Sequence, residues 1–510
     1  MRFNLTKDTI IKDNDNKKVI YNNKSKNNIV LSGFAIKLFE KLINLGDEVA
    51  IHSIIEQSNV NELSARATLN SLLYPLLNLK LIAPVTKFNN NGQNINITTA
   101  AIETTNVCNF RCPHCYVDKA DSKNLSCQDI KNIIDELYEL NTCNLLFTGG
   151  EVLTHKFFKD FYLYAYKKGF IITINTNGSL IDDSLMEFIK RTPPYSIEIS
   201  LYGHNQETFE NFTKTKVSFE SIVSTLEKLK KASVNVMCKS VITNTNKSHY
   251  KDIEKICKNL NIPFKKDYIA FPQLDKSYAF NPEQIEPEEA IELLKEDSNC
   301  QKQYLKIFDE SIENKEFVFQ CRKNNDGLFF SSDGNINICP CMQSVSYKYE
   351  KGNLFNSVIS LQKLGDIKFN ENSKCKNCKY ISLCRYCPAK FYLTTGDYQT
   401  PPKWFCDFGE LMYSTFIEGL RFVVDYLSFE EIEKVYNRGV FDLKFDEWIK
   451  EKIKGLEEEK FVKAYVDGKL LGFANFNEKY SFVGTNDLLE LLEKDNVKVN
   501  ELITSEFLNV

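Results

Sequence analysis

The sequence predicts an α/β protein built on a parallel sheet, and three observations carry that expectation. Short apolar runs at 144–148 (NLLFT), 171–175 (IITIN), 197–201 (IEISL) and 236–242 read as buried strands. Helical stretches at 157–168, 183–190, 218–232 and 251–260 alternate with them, which argues for βα units. The strands end in turns of small or polar residues: Gly149–Gly150–Glu151, Thr176–Asn177–Gly178, Tyr202–Gly203 and Thr243–Asn244. Ligands collect at the carboxyl ends of strands in such sheets, so Glu151, Asn177 and Ser200 are candidate binding residues. Asn177 and Ser200 also have an ordinary reading as loop-capping polar groups.

A chain of 510 residues exceeds what one core sustains, so further domains are expected. In residues 1–86, strands are expected at 3–11 and 19–22. Ser32 then caps an apolar-periodic helix through Leu45, with Phe34, Leu38, Phe39, Leu42 and Leu45 on one side. Helices at 47–56 and 61–77 follow, and 79–83 closes the domain as a strand. Two strands followed by three helices make a winged-helix shape. The third helix offers Arg66 but no basic run, and the net charge of −4 argues against nucleic-acid binding. The Asn-rich stretch 87–97 reads as a linker.

Sixteen cysteines are heavy usage. With no apolar run of membrane-spanning length and no opening signal segment, a cytoplasmic setting is expected, where structural disulfides are rare and dense cysteine points to metal. Cys108, Cys112 and Cys115 form C-x3-C-x2-C, followed at once by Tyr116. Three thiolates in eight residues suit a 4Fe-4S cluster with one open iron, the alternative being a partial zinc site. Nine more cysteines fall in one window: Cys300, Cys321, Cys339, Cys341, Cys375, Cys378, Cys384, Cys387 and Cys406. Within it, C-x2-C-x5-C-x2-C spans Cys375 to Cys387, for which a zinc ribbon is the competing reading. Cys127, Cys143, Cys238 and Cys257 read as buried structural thiols, or else as a hydrogen-atom donor to a substrate radical.

The C-x3-C-x2-C run, its aromatic tail and the downstream Gly149–Gly150–Glu151 resemble the radical S-adenosylmethionine (SAM) superfamily. That resemblance implies an incomplete (β/α)6 barrel over 96–299, a SAM-binding 4Fe-4S cluster on Cys108, Cys112 and Cys115, and SAM contacts from Tyr116, Gly149, Gly150, Glu151, Asn177 and Ser200. The later cysteines, over 300–409, resemble the SPASM extension of radical SAM enzymes that modify peptides and proteins. It implies two auxiliary 4Fe-4S clusters, one on Cys321, Cys339 and Cys387, the other on Cys375, Cys378, Cys384 and Cys406. Cys341, Cys300 or an open iron completes the first. The pattern departs from the family in ending C-x2-C where C-x3-C is usual. Residues 1–86 resemble the leader-peptide recognition (PqqD-like) domain of such enzymes, with a structural cap as the rival reading.

The implied activity is maturation of a ribosomally made precursor peptide by hydrogen abstraction and an intrapeptide crosslink, foremost a Cys thioether. Carbon–carbon crosslinking, epimerisation and sulfatase-maturating oxidation of Cys or Ser are the alternatives, and an iron–sulfur DNA-binding regulator is the reading from another class. The expected partners are a precursor peptide with its leader and an electron donor such as ferredoxin or flavodoxin, with no nucleic acid and no membrane span. Residues 410–510 form an α+β extension of unassigned role, with a helix at 408–427, an amphipathic stretch at 446–456 and a hairpin at 463–476 turned by Asp467–Gly468.

Overall fold

The computed structural model describes residues 3–14, 17–23, 27–85, 97–117, 121–274, 280–296, 316–321 and 327–416, with strand segments at 420–425, 461–466, 469–475 and 500–502. It divides into two compact units, Met1–Gln284 with Phe319–Ile367, and Ile285–Val318 with Lys368–Val510.

The first unit opens with β1 (Phe3–Leu5), β2 (Thr9–Asn14), β3 (Lys17–Asn22) and β4 (Asn28–Ser32). Helices α1 (Phe34–Leu45), α2 (Asp47–Ser58) and α3 (Glu62–Asn78) follow, then β5 (Ile82–Pro84). Strands β2, β3 and β4 form an antiparallel meander, while β1 pairs with β5. The expected strand at 3–11 is therefore two strands, and β4 is an addition to the expected set. Ser32 is no cap: it ends β4, and Gly33, at φ 54°, leads into α1 without a side-chain cap bond. Cross-strand pairing with β3 and burial of Leu31 outweigh the capping preference of one serine. Asn61 does cap α3, accepting from the Ser64 amide at 3.0 Å.

Arg66 is buried on α3, its guanidinium 3.4 Å from the buried Asp47 carboxylate, so it is not presented to a nucleic acid. Both side chains crowd Gly169 (φ 85°): a Cβ there would lie 2.8 Å from each. Asn70 donates to the Tyr166 hydroxyl at 3.2 Å, and Tyr74 meets the Tyr195 ring edge-on at 5.3 Å. The first subdomain is thus docked against the helices of the following sheet. Cys143 and Ile171 join its core, and burial pushes the Cys143 thiol up to about 11, consistent with a structural role. Replacing Arg66 with Ala strands a buried carboxylate and is expected to cost about 3–5 kcal/mol. An unshifted first transition in urea would refute that value.

The large sheet holds β6 (Thr99–Glu103), β7 (Asn144–Thr148), β8 (Ile171–Thr176), β9 (Ser196–Ser200), β10 (Val236–Val241) and β11 (Phe264–Asp267). These six strands are parallel and neighbour one another in chain order. Sequential order suits a (β/α) barrel, whereas a doubly wound sheet reverses direction at a switch point. Beyond β6 lie β12 (Leu328–Phe330), parallel to it, then antiparallel β13 (Asn335–Asn337) and β14 (Tyr347–Lys348). Helices α4 (Cys127–Glu139), α5 (Phe158–Lys167), α6 (Asp183–Arg191), α7 (Gln206–Thr213), α8 (Phe219–Lys231) and α9 (Tyr250–Asn259) fill the crossovers. Side-chain caps start several of them, with Ser126, Asp182, Asn205 and Ser218 accepting amide bonds in their first turns. Period-two alternation in β9 buries Ile197 and Ile199 and leaves Glu198 and Ser200 half-buried on the opposite face.

The second unit contains α10 (Pro287–Lys295), α12 (Pro388–Thr395) and α13 (Lys403–Phe416), while α11 (Leu354–Gln362) belongs to the first. Trp404 of α13 donates to the Ile285 carbonyl at 2.8 Å and stacks on Phe408 at 5.0 Å. The expected helix at 408–427 is a helix only to Phe416: Leu420–Asp425 is β15, paired on both sides. Its sequence, LRFVVD, is β-branched and aromatic, and two flanking strands satisfy its backbone. The expected hairpin is present as β16 (Phe461–Val466) and β17 (Lys469–Asn475), and β18 (Asn500–Leu502) completes this antiparallel sheet. Asp467–Gly468, the stretch 446–456, the 87–96 part of the linker and Cys300 lie outside the described residues. Among the described residues no helix is long and apolar enough to cross a membrane.

Candidate functional site

The loop that leaves β6, residues 104–116, carries the three clustered thiols, all half-buried. Its stem is sealed to the turn after β7 by main-chain bonds. The Thr104 amide donates to Thr148 at 3.0 Å, Gly150 to Thr105 at 2.8 Å, and Glu151 to Val107 at 2.8 Å. The two glycines are a condition of this approach. A Cβ at Gly149 would meet the Thr105 carbonyl oxygen at 2.5 Å, and one at Gly150 the Asn106 oxygen at 2.5 Å and the Val107 oxygen at 2.6 Å.

Within the loop the Phe110 amide donates to the Cys108 sulfur at 3.3 Å and the Cys115 amide to the Cys112 carbonyl at 3.2 Å. Phe110 is buried edge-on against Phe209 of α7, and the Arg111 amide reaches the Thr213 carbonyl at 2.8 Å. These anchors shape the loop without using its thiols' metal-binding capacity. Three soft sulfur donors so held fit an iron–sulfur cluster with one iron left open. Tyr116 follows, its carbonyl accepting from Leu274 at 3.0 Å and its ring 5.3 Å from Phe271. Burial holds its phenol well above the ordinary value.

Glu151 is 1% exposed, and its carboxylate is turned into the protein. It accepts from the Leu153 amide (3.0 Å), the Thr176 hydroxyl (2.7 Å) and the Asn177 amide (2.6 Å). Burial raises its pKa, and these donors oppose the rise. The carboxylate therefore ties the end of β7 to the end of β8. Asn177 carries the link onward: its side-chain amide donates to Asn109, inside the cysteine run, at 2.8 Å, and its oxygen accepts from Ser179. Asn109 in turn donates to the Ser179 hydroxyl at 2.8 Å. Ser200 ends β9 two residues before buried Tyr202, whose hydroxyl lies 3.1 Å from Nε2 of His114 in the cysteine loop. The Tyr202 ring stacks on Phe212 at 4.4 Å. Ser200 thus ends β9, and Glu151 and Asn177 follow β7 and β8, linked to the thiol loop through Val107 and Asn109.

The structure adds groups that the sequence reading missed. Glu103, the last residue of β6, is buried and accepts from the Ser332 amide and hydroxyl, each at 2.9 Å. On the face of the sheet shared with Ser200, Glu198 pairs with Lys239, and Lys239 also reaches Asn175 at 3.5 Å. Alternation within IEISL and VMCKSV is the signal that marks Glu198 and Lys239, since each interrupts the apolar set of its strand.

The later thiols fall in both units. Cys321, Cys339 and Cys341 belong to the first, where Cys341 is 3% exposed and lies close enough to Tyr116 to act on its ionisation. Cys387 belongs to the second and precedes α12, its carbonyl accepting from the Phe391 amide. Also in the second, Cys375, Cys378, Cys384 and Cys406 lie near one another. Burial pushes Cys375 up to about 12 and raises Cys384, and neighbouring thiols, Cys406 among them, add to the rise in both. Such mutual disfavour of thiolates is what a bound cation relieves. Among the described residues no three His, Cys, Asp or Glu side chains converge tightly enough to hold a metal ion. Four thiols are the donor set of a four-iron cluster and of a structural zinc ion alike.

Residues 102–260 match the model of the radical SAM superfamily. Among curated proteins, the AdoMet-dependent heme synthase of Methanosarcina barkeri is 23% identical over 58% of this chain and 93% of that protein. The antilisterial bacteriocin subtilosin biosynthesis protein AlbA of Bacillus subtilis is 27% identical over 31% of this chain and 38% of its own length. The cysteine-type anaerobic sulfatase-maturating enzyme of Clostridium novyi is 24% identical over 64% of this chain and 96% of that protein. The matched span contains the thiol loop, the Gly149–Gly150–Glu151 turn, Asn177 and Ser200, so the chain carries a radical SAM domain over residues 102–260 and is an enzyme.

Proposed function

We propose that the chain matures a ribosomally made peptide, abstracting a hydrogen atom and closing an intrapeptide crosslink, with a Cys thioether as the bond. The observation that carries this reading is the pairing of two thiol sets. Cys108, Cys112 and Cys115 would hold the SAM-binding 4Fe-4S cluster, and Cys375, Cys378, Cys384 and Cys406 an auxiliary one. A second auxiliary cluster on Cys321, Cys339 and Cys387, completed by Cys341 or Cys300, belongs to the same proposal. Bound at Cys108, Cys112 and Cys115, a cluster with an open iron supplies one-electron cleavage of SAM to a 5′-deoxyadenosyl radical.

The chain's own residues do the rest. Gly149 and Gly150 would bring main chain to the methionyl end of SAM, with Glu151 holding the Asn177 amide and the Thr176 hydroxyl in place behind them. Asn177 and Ser200, at the ends of β8 and β9, would line the SAM site. Phe110, Phe209, Phe212 and Tyr202 exclude water around the loop. Closing a thioether removes two hydrogens from the peptide. One hydrogen atom, one proton and one electron must therefore leave the peptide, and Cys375, Cys378, Cys384 and Cys406 would hold the cluster able to accept the electron.

The β2–β3–β4 meander offers edges to which an extended leader can add as a strand, which supports a recognition role for residues 1–86. AlbA, named for bacteriocin biosynthesis, supports a peptide substrate. Ferredoxin or flavodoxin as donor and an anaerobic cytoplasmic setting complete the proposal.

Alignment with 96% of a sulfatase-maturating enzyme favours oxidation of a Cys or Ser in a folded protein as the second reading. The test is intact mass of a small cysteine-containing peptide encoded beside this protein, treated anaerobically in heavy water with enzyme, SAM and reductant. Loss of two hydrogens per event is the expected result. Gain of one deuterium without that loss would replace crosslinking by epimerisation. An unchanged peptide with SAM still cleaved would overturn the peptide reading in favour of a folded protein or, following the heme synthase likeness, a tetrapyrrole.

A further inference from the structure

Helix α13 carries Cys406 near its start and buries Phe405, Phe408, Gly409, Met412 and Phe416 along one stripe. A glycine in the middle of a helix costs about 1 kcal/mol relative to alanine, and on a buried stripe it also forgoes the packing of a side chain. The reason lies opposite it. A Cβ at Gly409 would stand 2.6 Å from the Cys384 Cβ, 3.1 Å from the Cys384 Cα and 3.2 Å from the Tyr380 Cβ. None of these is the far end of a flexible side chain, so none can swing away. Gly409 is therefore the point where α13 touches the segment bearing Cys384. Cys406 lies three residues earlier, one helical turn away on the same side. The Tyr380 and Tyr413 rings, 5.4 Å apart with Lys379 lying over both, flank the contact.

We propose that Gly409 is a positioning residue for the metal centre of Cys375, Cys378, Cys384 and Cys406. By letting backbone meet side chain without a Cβ between them, it sets how far Cys406 stands from Cys384, and so whether one four-iron cluster spans both. The inference rests on the auxiliary-cluster reading given above. A side chain at 409 lifts α13 away and carries Cys406 with it, while the Cys108 loop on another part of the chain is untouched.

The test uses the full chain, reconstituted anaerobically with iron and sulfide, as wild type, Gly409→Ala, Gly409→Val, Glu410→Ala and Cys406→Ala. Iron per chain, the electron paramagnetic resonance spectrum of the reduced protein and circular dichroism are recorded for each. Glu410, exposed one residue on, is the control for a change in the same helix. Gly409→Val is expected to lose one cluster's iron and its signal, with SAM cleavage retained. Gly409→Ala is expected to keep the iron but shift that cluster's signal, which a purely structural defect would not do selectively. Glu410→Ala is expected to match wild type. Full iron and an unaltered spectrum in both Gly409 variants overturn the proposal. If Cys406→Ala keeps the full iron and spectrum, it is the cluster assignment that fails, independently of Gly409.

Discussion

A Cys112→Ala chain is expected to fold with the circular dichroism of wild type yet to release no 5′-deoxyadenosine from SAM. Main-chain and aromatic contacts hold the thiol loop in shape. Main-chain bonds from Gly150 and Glu151 hold its stem, and Phe110 and the Arg111 amide anchor its tip. Removing one sulfur from three leaves too few donors for the cluster that these residues would hold, and SAM cleavage is expected to go with it. The predicted readout is a drop in iron equal to one cluster, with signals from the other thiol set preserved. Release of 5′-deoxyadenosine at the wild-type rate would show that these three residues are not the cleavage site.

A large effect is also expected from adding a single methyl group at Gly150. Its substitution by Ala drives a Cβ to 2.5 Å from the Asn106 oxygen and 2.6 Å from the Val107 oxygen, both main-chain atoms. The turn after β7 must then part from the stem of the cysteine loop, losing the bonds to Thr105 and Val107. Overpacking and two lost buried hydrogen bonds together amount to about 3–5 kcal/mol. Gly33 makes the contrast. It has φ 54° and ψ −124° but nothing within 4 Å of an added Cβ, so Gly33→Ala carries a backbone strain of about 1–3 kcal/mol and no clash. Thermal unfolding of the two variants side by side, with iron content after reconstitution, checks the ordering. Equal stabilities would show that the stem can open without penalty.

Much of the sheet was legible because its strands are apolar runs with their own punctuation. β7 has the bounds its sequence suggests, and β8, β9 and β10 differ from theirs by a residue or so. β6 (TAAIE) and β11 (FKKD) carry little strand character of their own and are strands because parallel neighbours satisfy their backbones. β4 and β15 tell the same story: pairing overrode a serine cap in one case and helical periodicity in the other. At the site, spacing alone identified Cys108, Cys112 and Cys115, since three thiols within eight residues share one loop in any fold.

The glutamate after the two glycines shows where such reading stops. A carboxylate at a strand end is suited equally to a ligand ammonium and to neighbouring amides, and the sequence does not choose between them. Its choice of Thr176, Asn177 and Leu153 depends on β8 lying beside β7. Likewise the Glu198–Lys239 pair exists because β9 and β10 are adjacent, and the value of Gly409 appears only once Cys384 is found against it. Chain-local information, in the form of donor type, spacing and hydrophobic period, determined by itself the fold class and the thiol loop. Which groups stand opposite one another, and so which polar groups are consumed by the protein and which glycines are indispensable, was decided by tertiary contact between segments distant in the chain. Sterics and hydrogen-bond satisfaction act between facing atoms, and facing is a property of the folded molecule.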